Sequence, residues 1–169
     1  TGNFNQTQGG VIQAAIGPGG QSSQLVVNGN ATLAGQLGIV FAENAVVTQG
    51  GFGNPSVVIV NGTLTNAGLQ PVNTAMVQNT LSRNGNAIGF KAQVNFAPAG
   101  LSAEGARFGQ VLAQYQARGS SPLVNRIAQD LVQVPTIGQL ERAYSDIGGT
   151  PVSAIVQTGL QTAQGGMMS

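Results

Sequence analysis

The sequence predicts a mainly β chain of short stacked rungs, capped by one antiparallel hairpin and followed by a small bundle of short α-helices. Three observations predict it. The apolar runs of the first half are brief, rich in Val, Ile and Thr, and punctuated by Gly, Asn and Pro, which is the pattern of an all-β architecture. LVVNGNATLAG at 25–35 is echoed by VIVNGTLTNAG at 58–68, and self-similarity at that spacing points to stacked units. After Phe96 the apolar period changes from 2 to about 3.6, the period of a helix. The expected parts are rungs over 1–73, the capping hairpin over 74–96 and a helical region over 97–169.

Strands are expected at 3–7, 10–16, 23–28, 31–41, 45–48 and 56–65. An Asn-Gly pair between apolar runs is a strong hairpin signal, so each one is tested by the register it imposes. A turn at Asn28-Gly29 would pair Val27 with Asn30, Val26 with Ala31 and Leu25 with Thr32. A turn at Asn61-Gly62 would pair Val60 with Thr63 and Ile59 with Leu64. Both mix polar and apolar residues on one face, whereas a half-buried pair alternates cleanly. These two pairs are therefore predicted to be corners. Asn84-Gly85 passes the test, with Leu81–Ile88, Val77–Ala92 and Ala75–Val94 on one face and Phe90 opposite Asn79. The hairpin is expected at 74–83 and 86–96, laying its apolar face over the open end of the preceding strands.

In the helical region, Ser102 is an N-cap with Glu104 in the first turn. Phe108, Val111, Leu112 and Tyr115 then form one apolar stripe, ended by Gly119-Ser120. Ser121 caps a second helix with Pro122 at its first position and Leu123, Ile127 and Leu131 on one face. Thr136-x-x-Gln139 has capping-box spacing and precedes a third stripe of Ile137, Leu140, Tyr144 and Ile147. Thr150-Pro151 opens a fourth, weaker helix to about Gln161.

Composition narrows the function. Charged residues are 7% of the chain and the net charge is +1, so copies hardly repel one another. Glu43 is the one charge before Arg83, and every other charge lies between Arg83 and Asp146. No basic stripe is present, so nucleic acid is not an expected partner. With no Cys and no His, thiolate or imidazole metal sites and Ser-His-Asp or Cys-His catalysis are excluded. Arg126/Asp130, Arg142/Asp146 and Glu104/Arg107 stand at helical spacing and read as solvated pairs. Gly17-Pro18-Gly19-Gly20 and Gly50-Gly51-Phe52-Gly53 lack the context of a phosphate loop and read as turns. Asn5-Gln6-Thr7, Asn30-Ala31-Thr32 and Asn61-Gly62-Thr63 match the glycosylation sequon, as chance allows in a chain rich in Asn and Thr. No catalytic, cofactor-binding or metal-binding residue is assigned, and no apolar run reaches the roughly 18 residues of a membrane helix. Starting at Thr1 without Met, the chain is expected to be processed from a longer precursor.

The order of these elements resembles the C-terminal passenger region of bacterial autotransporters, the type V secretion family. The opening Thr1-Gly-Asn-Phe-Asn-Gln-Thr-Gln-Gly-Gly with Val11-Ile12 is similar to the family's opening strand. Ser23-Gln-Leu-Val-Val-Asn-Gly-Asn-Ala-Thr-Leu-Ala-Gly-Gln-Leu is similar to one of its rungs. Leu81 to Phe96, and the helices with Leu140 to Gly148, resemble the segment leading toward the translocator barrel. The resemblance implies a right-handed parallel β-helix (a β-solenoid), an autochaperone-like region, a capping hairpin and a helical linker. The family's membrane barrel does not follow in this sequence.

The expected function is therefore that of a non-enzymatic extracellular structural protein, a processed passenger segment on or outside a Gram-negative cell. It is expected to self-associate into a homo-oligomer, fibre or surface assembly, with Ser56-Val-Val-Ile-Val-Asn61 as a pairing edge. Its precursor would supply an upstream passenger and an outer-membrane barrel as partners. The alternatives are an autochaperone module that speeds folding of a larger passenger, and an adhesin stalk. No cofactor is expected.

Overall fold

The computed structural model describes residues 2–119 and 121–148, and the fourth helix expected over 150–161 lies outside them. The strands are β1 (Phe4–Gln6), β2 (Val11–Ile16), β3 (Leu25–Val27), β4 (Ala31–Leu33), β5 (Gln36–Phe41), β6 (Gly50–Val60), β7 (Leu64–Asn66), β8 (Gln70–Pro71), β9 (Val77–Asn84) and β10 (Ala87–Val94). Three helices follow, α1 (Ala103–Ala117), α2 (Pro122–Leu131) and α3 (Ile137–Gly148).

Residues far apart in sequence pair in parallel. β4 stands between β1 and β7, with Phe4 opposite Ala31 and Ala31 opposite Leu64. β5 stands between β2 and β8, with Val11 opposite Gln36 and Gln36 opposite Gln70. β3 pairs with the end of β6, Leu25 opposite Val58 and Val27 opposite Val60. Neither Asn28-Gly29 nor Asn61-Gly62 joins an antiparallel pair, because the strands on either side of each belong to different sheets. The expected 31–41 strand divides at Ala34-Gly35, where Gly35 takes a left-handed φ of 74°.

The expectation of a mainly β, right-handed parallel β-helix is overturned. Helix makes up 27% and strand 37% of the described residues, the sheets are not closed, and parallel and antiparallel pairing are mixed. The mixing arises because the hairpin does not lie across an end. It joins a sheet edge to edge, in the order β3-β6-β10-β9. β10 runs back along β6, with the Val60 N–H donating to Asn86 O at 2.9 Å and Gly89 lying against Pro55. β3 takes one edge of β6, over Val58–Val60, and β10 takes the other. The expected pairing edge Ser56–Asn61 is therefore mostly an interior strand. Gly50-Gly51-Phe52-Gly53 is the start of β6 rather than a turn, and only Pro18–Gly20 of the other glycine run forms a 3-10 turn.

The hairpin turn is Gly85-Asn86, one residue beyond the expected Asn84-Gly85. Gly85 has φ 60°, as the first central residue of a type II′ turn requires. Moving the turn by one residue moves the cross-strand register by two, so each side chain keeps its expected face. Val77, Asn79, Ile88, Phe90, Ala92 and Val94 are buried, while Gln78, Thr80, Lys91 and Gln93 are exposed.

The chain forms two compact units. Among the described residues, the first comprises 2–45, 51–73 and 78–93, and the second comprises 46–50, 74–77, 94–119 and 121–148. The first unit buries Leu33, Leu37, Val58, Leu64, Ile88 and Phe90. Phe52 bridges Phe41 and Phe90 by edge contacts, with ring centroids 5.7 and 6.1 Å away. Asn79, the polar exception on the hairpin's apolar face, is 2% exposed, and neither side-chain atom of its amide finds a partner.

In the second unit the helices start where the capping residues predict. Ser102 Oγ accepts from Gly105 N, Ser121 Oγ from Val124 N and Thr136 Oγ1 from Gln139 N. The buried stripe of α1 is rotated from the expected one and consists of Gly105, Gly109, Leu112 and Gln116. The cause is close approach: a β-carbon at Gly109 would overlap Phe96 O, and one at Gly105 would sit 2.7 Å from the Glu141 carboxylate. In α2 the buried residues are Val124, Asn125, Ala128 and Leu131, and the expected Leu123 is 54% exposed. Residues 45–48, expected as a strand, are not one. Instead Gln116 Nε2 donates to Val47 O at 3.0 Å and Asn125 Oδ1 accepts Val47 N at 3.2 Å, so two buried amide side chains supply the pairing a neighbouring strand would give. Tyr144 packs on Phe108 with the rings tilted by 49° and donates to Phe96 O at 2.6 Å, and burial pushes its phenol well above the ordinary value. Glu141 accepts from Ser102 N at 2.9 Å and Ser102 Oγ at 2.5 Å, and these bonds hold its carboxyl below the ordinary carboxylate range.

Three outcomes are expected. Both tyrosines lie in the second unit and the chain has no Trp, so tyrosine fluorescence follows that unit through denaturation. Gly109→Ala will lower its stability by about 1–3 kcal/mol, the usual cost of overpacking. Asn79→Leu, read by circular dichroism, will raise the melting midpoint, because two unsatisfied buried groups are worth about 1–3 kcal/mol each; a lowered midpoint would mean the amide has a partner. Since the folded-state pKa of Glu141 is depressed, its contribution is present above the unfolded value and lost as pH falls through the folded one. The stability difference between wild type and Glu141→Gln is therefore expected in full at about pH 6 and should shrink as pH falls below the ordinary carboxylate value of about 4.3.

Candidate interaction surface

The first unit carries a ladder of corners. Gly29 N donates to Gly2 O at 3.1 Å, and Gly62 N donates to Gly29 O at 3.0 Å. Beside it, Asn30 N donates to Asn3 Oδ1 at 2.9 Å and Thr63 N to Asn30 Oδ1 at 2.8 Å. Asn61 Nδ2 donates to Asn28 Oδ1 at 2.8 Å. The same backbone and amide groups thus bond at successive levels. Glycine is required at 29 and 62, since a β-carbon would come within 2.6 Å of Gly2 O or Gly29 O. Two of the three sequon asparagines, Asn30 and Asn61, serve this ladder.

The two sides of the ladder differ. On one side β1, β2 and β3 each stand at the end of their sheet. These strands carry no charge and no Pro, the residues that usually blunt an edge. Val11 on β2 and Val26 on β3 are 54% and 51% exposed. The Asn3 N–H has no acceptor among the described residues. The far part of β2 is partly covered, because Ser23 folds back to exchange bonds with Ala15.

On the other side the hairpin tip covers the edge. Asn86 Nδ2 donates to Gly62 O at 2.6 Å, and Arg83 Nη2 donates to Leu64 O at 2.8 Å. Arg83 is held in place by a second bond, Nε to Gly85 O at 3.0 Å. Pro71 ends the two-residue β8. The solvent face of β6, β10 and β9 also bears a groove of about 590 Å³, floored at Gly51 and Gly53 and walled by Thr80, Ser82, Lys91 and Gln93.

The charged pairs read from the sequence lie exposed on their helices. Arg126/Asp130, Arg142/Asp146 and Glu104/Arg107 form no ion pairs among the described residues. No three His, Cys, Asp or Glu residues gather among the described residues, and none of their helices is long and apolar enough to cross a membrane. The residues the sequence reading missed are Arg83 and Asn86, whose position beside the turn was visible but whose reach to Gly62 and Leu64 was not. No protein-family model, curated protein or solved structure matches this chain.

Proposed function

We propose that the chain is a non-enzymatic structural segment, displayed outside the cell, that associates with its own kind through the β1, β2 and β3 edges. The observation that carries this reading is the uncharged, proline-free edge with Val11 and Val26 exposed on it. An edge strand alternates outward N–H and C=O groups and pairs readily with another chain. Most edges in monomeric proteins carry a Lys, a Pro or a bulge that prevents this. Here the next charge along the chain is Glu43, beyond all three strands. The corner amides add a second layer of donors and acceptors without burying any ionised group, so desolvation on association stays modest.

Sedimentation velocity over a concentration series tests the proposal. Wild type should shift to larger species as concentration rises, and Val11→Lys with Val26→Lys should remain monomeric with an unchanged circular dichroism spectrum. A wild type that stays monomeric at the highest concentration contradicts the proposal.

A further inference from the structure

Resting on that reading, we infer that association is one-ended: the β1, β2 and β3 edge pairs with the same edge of a second copy, and the hairpin tip blocks growth from the opposite side. The ladder has direction. At each corner the later glycine donates its N–H to the carbonyl of the earlier one, so Gly2 O takes Gly29 N and Gly29 O takes Gly62 N. A third copy adding at the far side would need Gly62 O and the outward carbonyl of Leu64, which stands in register with Ala31. Both are already occupied, the first by the Asn86 amide and the second by the Arg83 guanidinium. The tip supplies the donors that a further level would have supplied. It also places the first cation after Glu43 on this edge, and a second copy presenting its own Arg83 there would meet like charge.

The β1, β2 and β3 side has no such cover. Two copies related by a twofold axis would present identical strands running in opposite directions. Antiparallel pairing is self-complementary, because the two residues of each hydrogen-bonded pair exchange both bonds. The absence of charge over 2–42 removes the repulsion that normally keeps like edges apart. A twofold contact uses this open edge of both copies and leaves outward the side where Gly62 O and Leu64 O are already occupied, so stacking closes at two. Head-to-tail stacking, by contrast, would grow without limit.

The test compares three forms of the chain by sedimentation velocity and light scattering. Wild type should plateau at twice the 17.0 kDa chain mass. Arg83→Ala with Asn86→Ala, which uncovers Gly62 O and Leu64 O, should pass that plateau and keep growing with concentration. Adding Val26→Lys to this uncapped form should stop the growth. The single Asn86→Ala variant keeps the backbone bond from Val60 N to Asn86 O, and it should show the same growth more weakly even if the double variant folds poorly. A wild type that grows past the dimer, or uncapped forms that stop at the dimer, overturns the one-ended inference while leaving self-association standing. A wild type that never leaves the monomer overturns both.

Discussion

Backbone contact at the Gly2, Gly29 and Gly62 corners is the constraint on which the first unit depends. A side chain at 62 would meet Asn30 Oδ1 at 2.5 Å and Gly29 O at 2.6 Å, so the corners stack only if the later ones are glycine. Once they do, strands on each side of a corner arrive at the spacing a parallel ladder needs. β3 then meets β6 and β4 meets β7 with no register choice left. The asparagine oxygens at 3, 28 and 30 absorb donors that would otherwise be stranded at a bend, which is how a region with almost no charge satisfies its polar groups.

The second unit solves its packing differently. Its glycines at 105 and 109 bring α1 close to the Glu141 carboxylate and the Phe96 carbonyl, and Tyr144 closes the same carbonyl from α3. Its buried amides Gln116 and Asn125 pair the Val47 backbone. In both units, then, an amide side chain takes the place of a missing strand: Asn86 at Gly62 in the first and Gln116 at Val47 in the second. A chain that avoids charge relies on Asn and Gln for terminating backbone ladders.

Much of this was readable from the sequence, in proportion to how local the physics is. Caps at Ser102, Ser121 and Thr136, corners at Asn28-Gly29 and Asn61-Gly62, and the two faces of the 77–94 hairpin follow from neighbouring residues. What failed was nonlocal. The apolar stripe of α1 was misplaced because Phe108 and Tyr115 look more like core residues than Gly109 and Gln116, whose burial depends on partners at 96 and 47. The 45–48 segment has strand composition, but its partners turned out to be helical side chains. The fold class was misjudged because repeating corners do not reveal whether sheets close, or that a hairpin joins β6 along its edge. The candidate surface was misassigned for the same reason: Ser56–Asn61 has the composition of an edge, and only topology shows that β10 covers it.

Amide hydrogen exchange at Gly29, Asn30, Gly62 and Thr63, resolved by NMR, tests the corner ladder most directly. These four N–H groups lie at loops that sequence alone would leave open to solvent. The ladder predicts exchange as slow as that of the buried β5 amides, because opening any corner requires separating stacked levels. Exchange as fast as at the exposed turn residue Gly85 would contradict it.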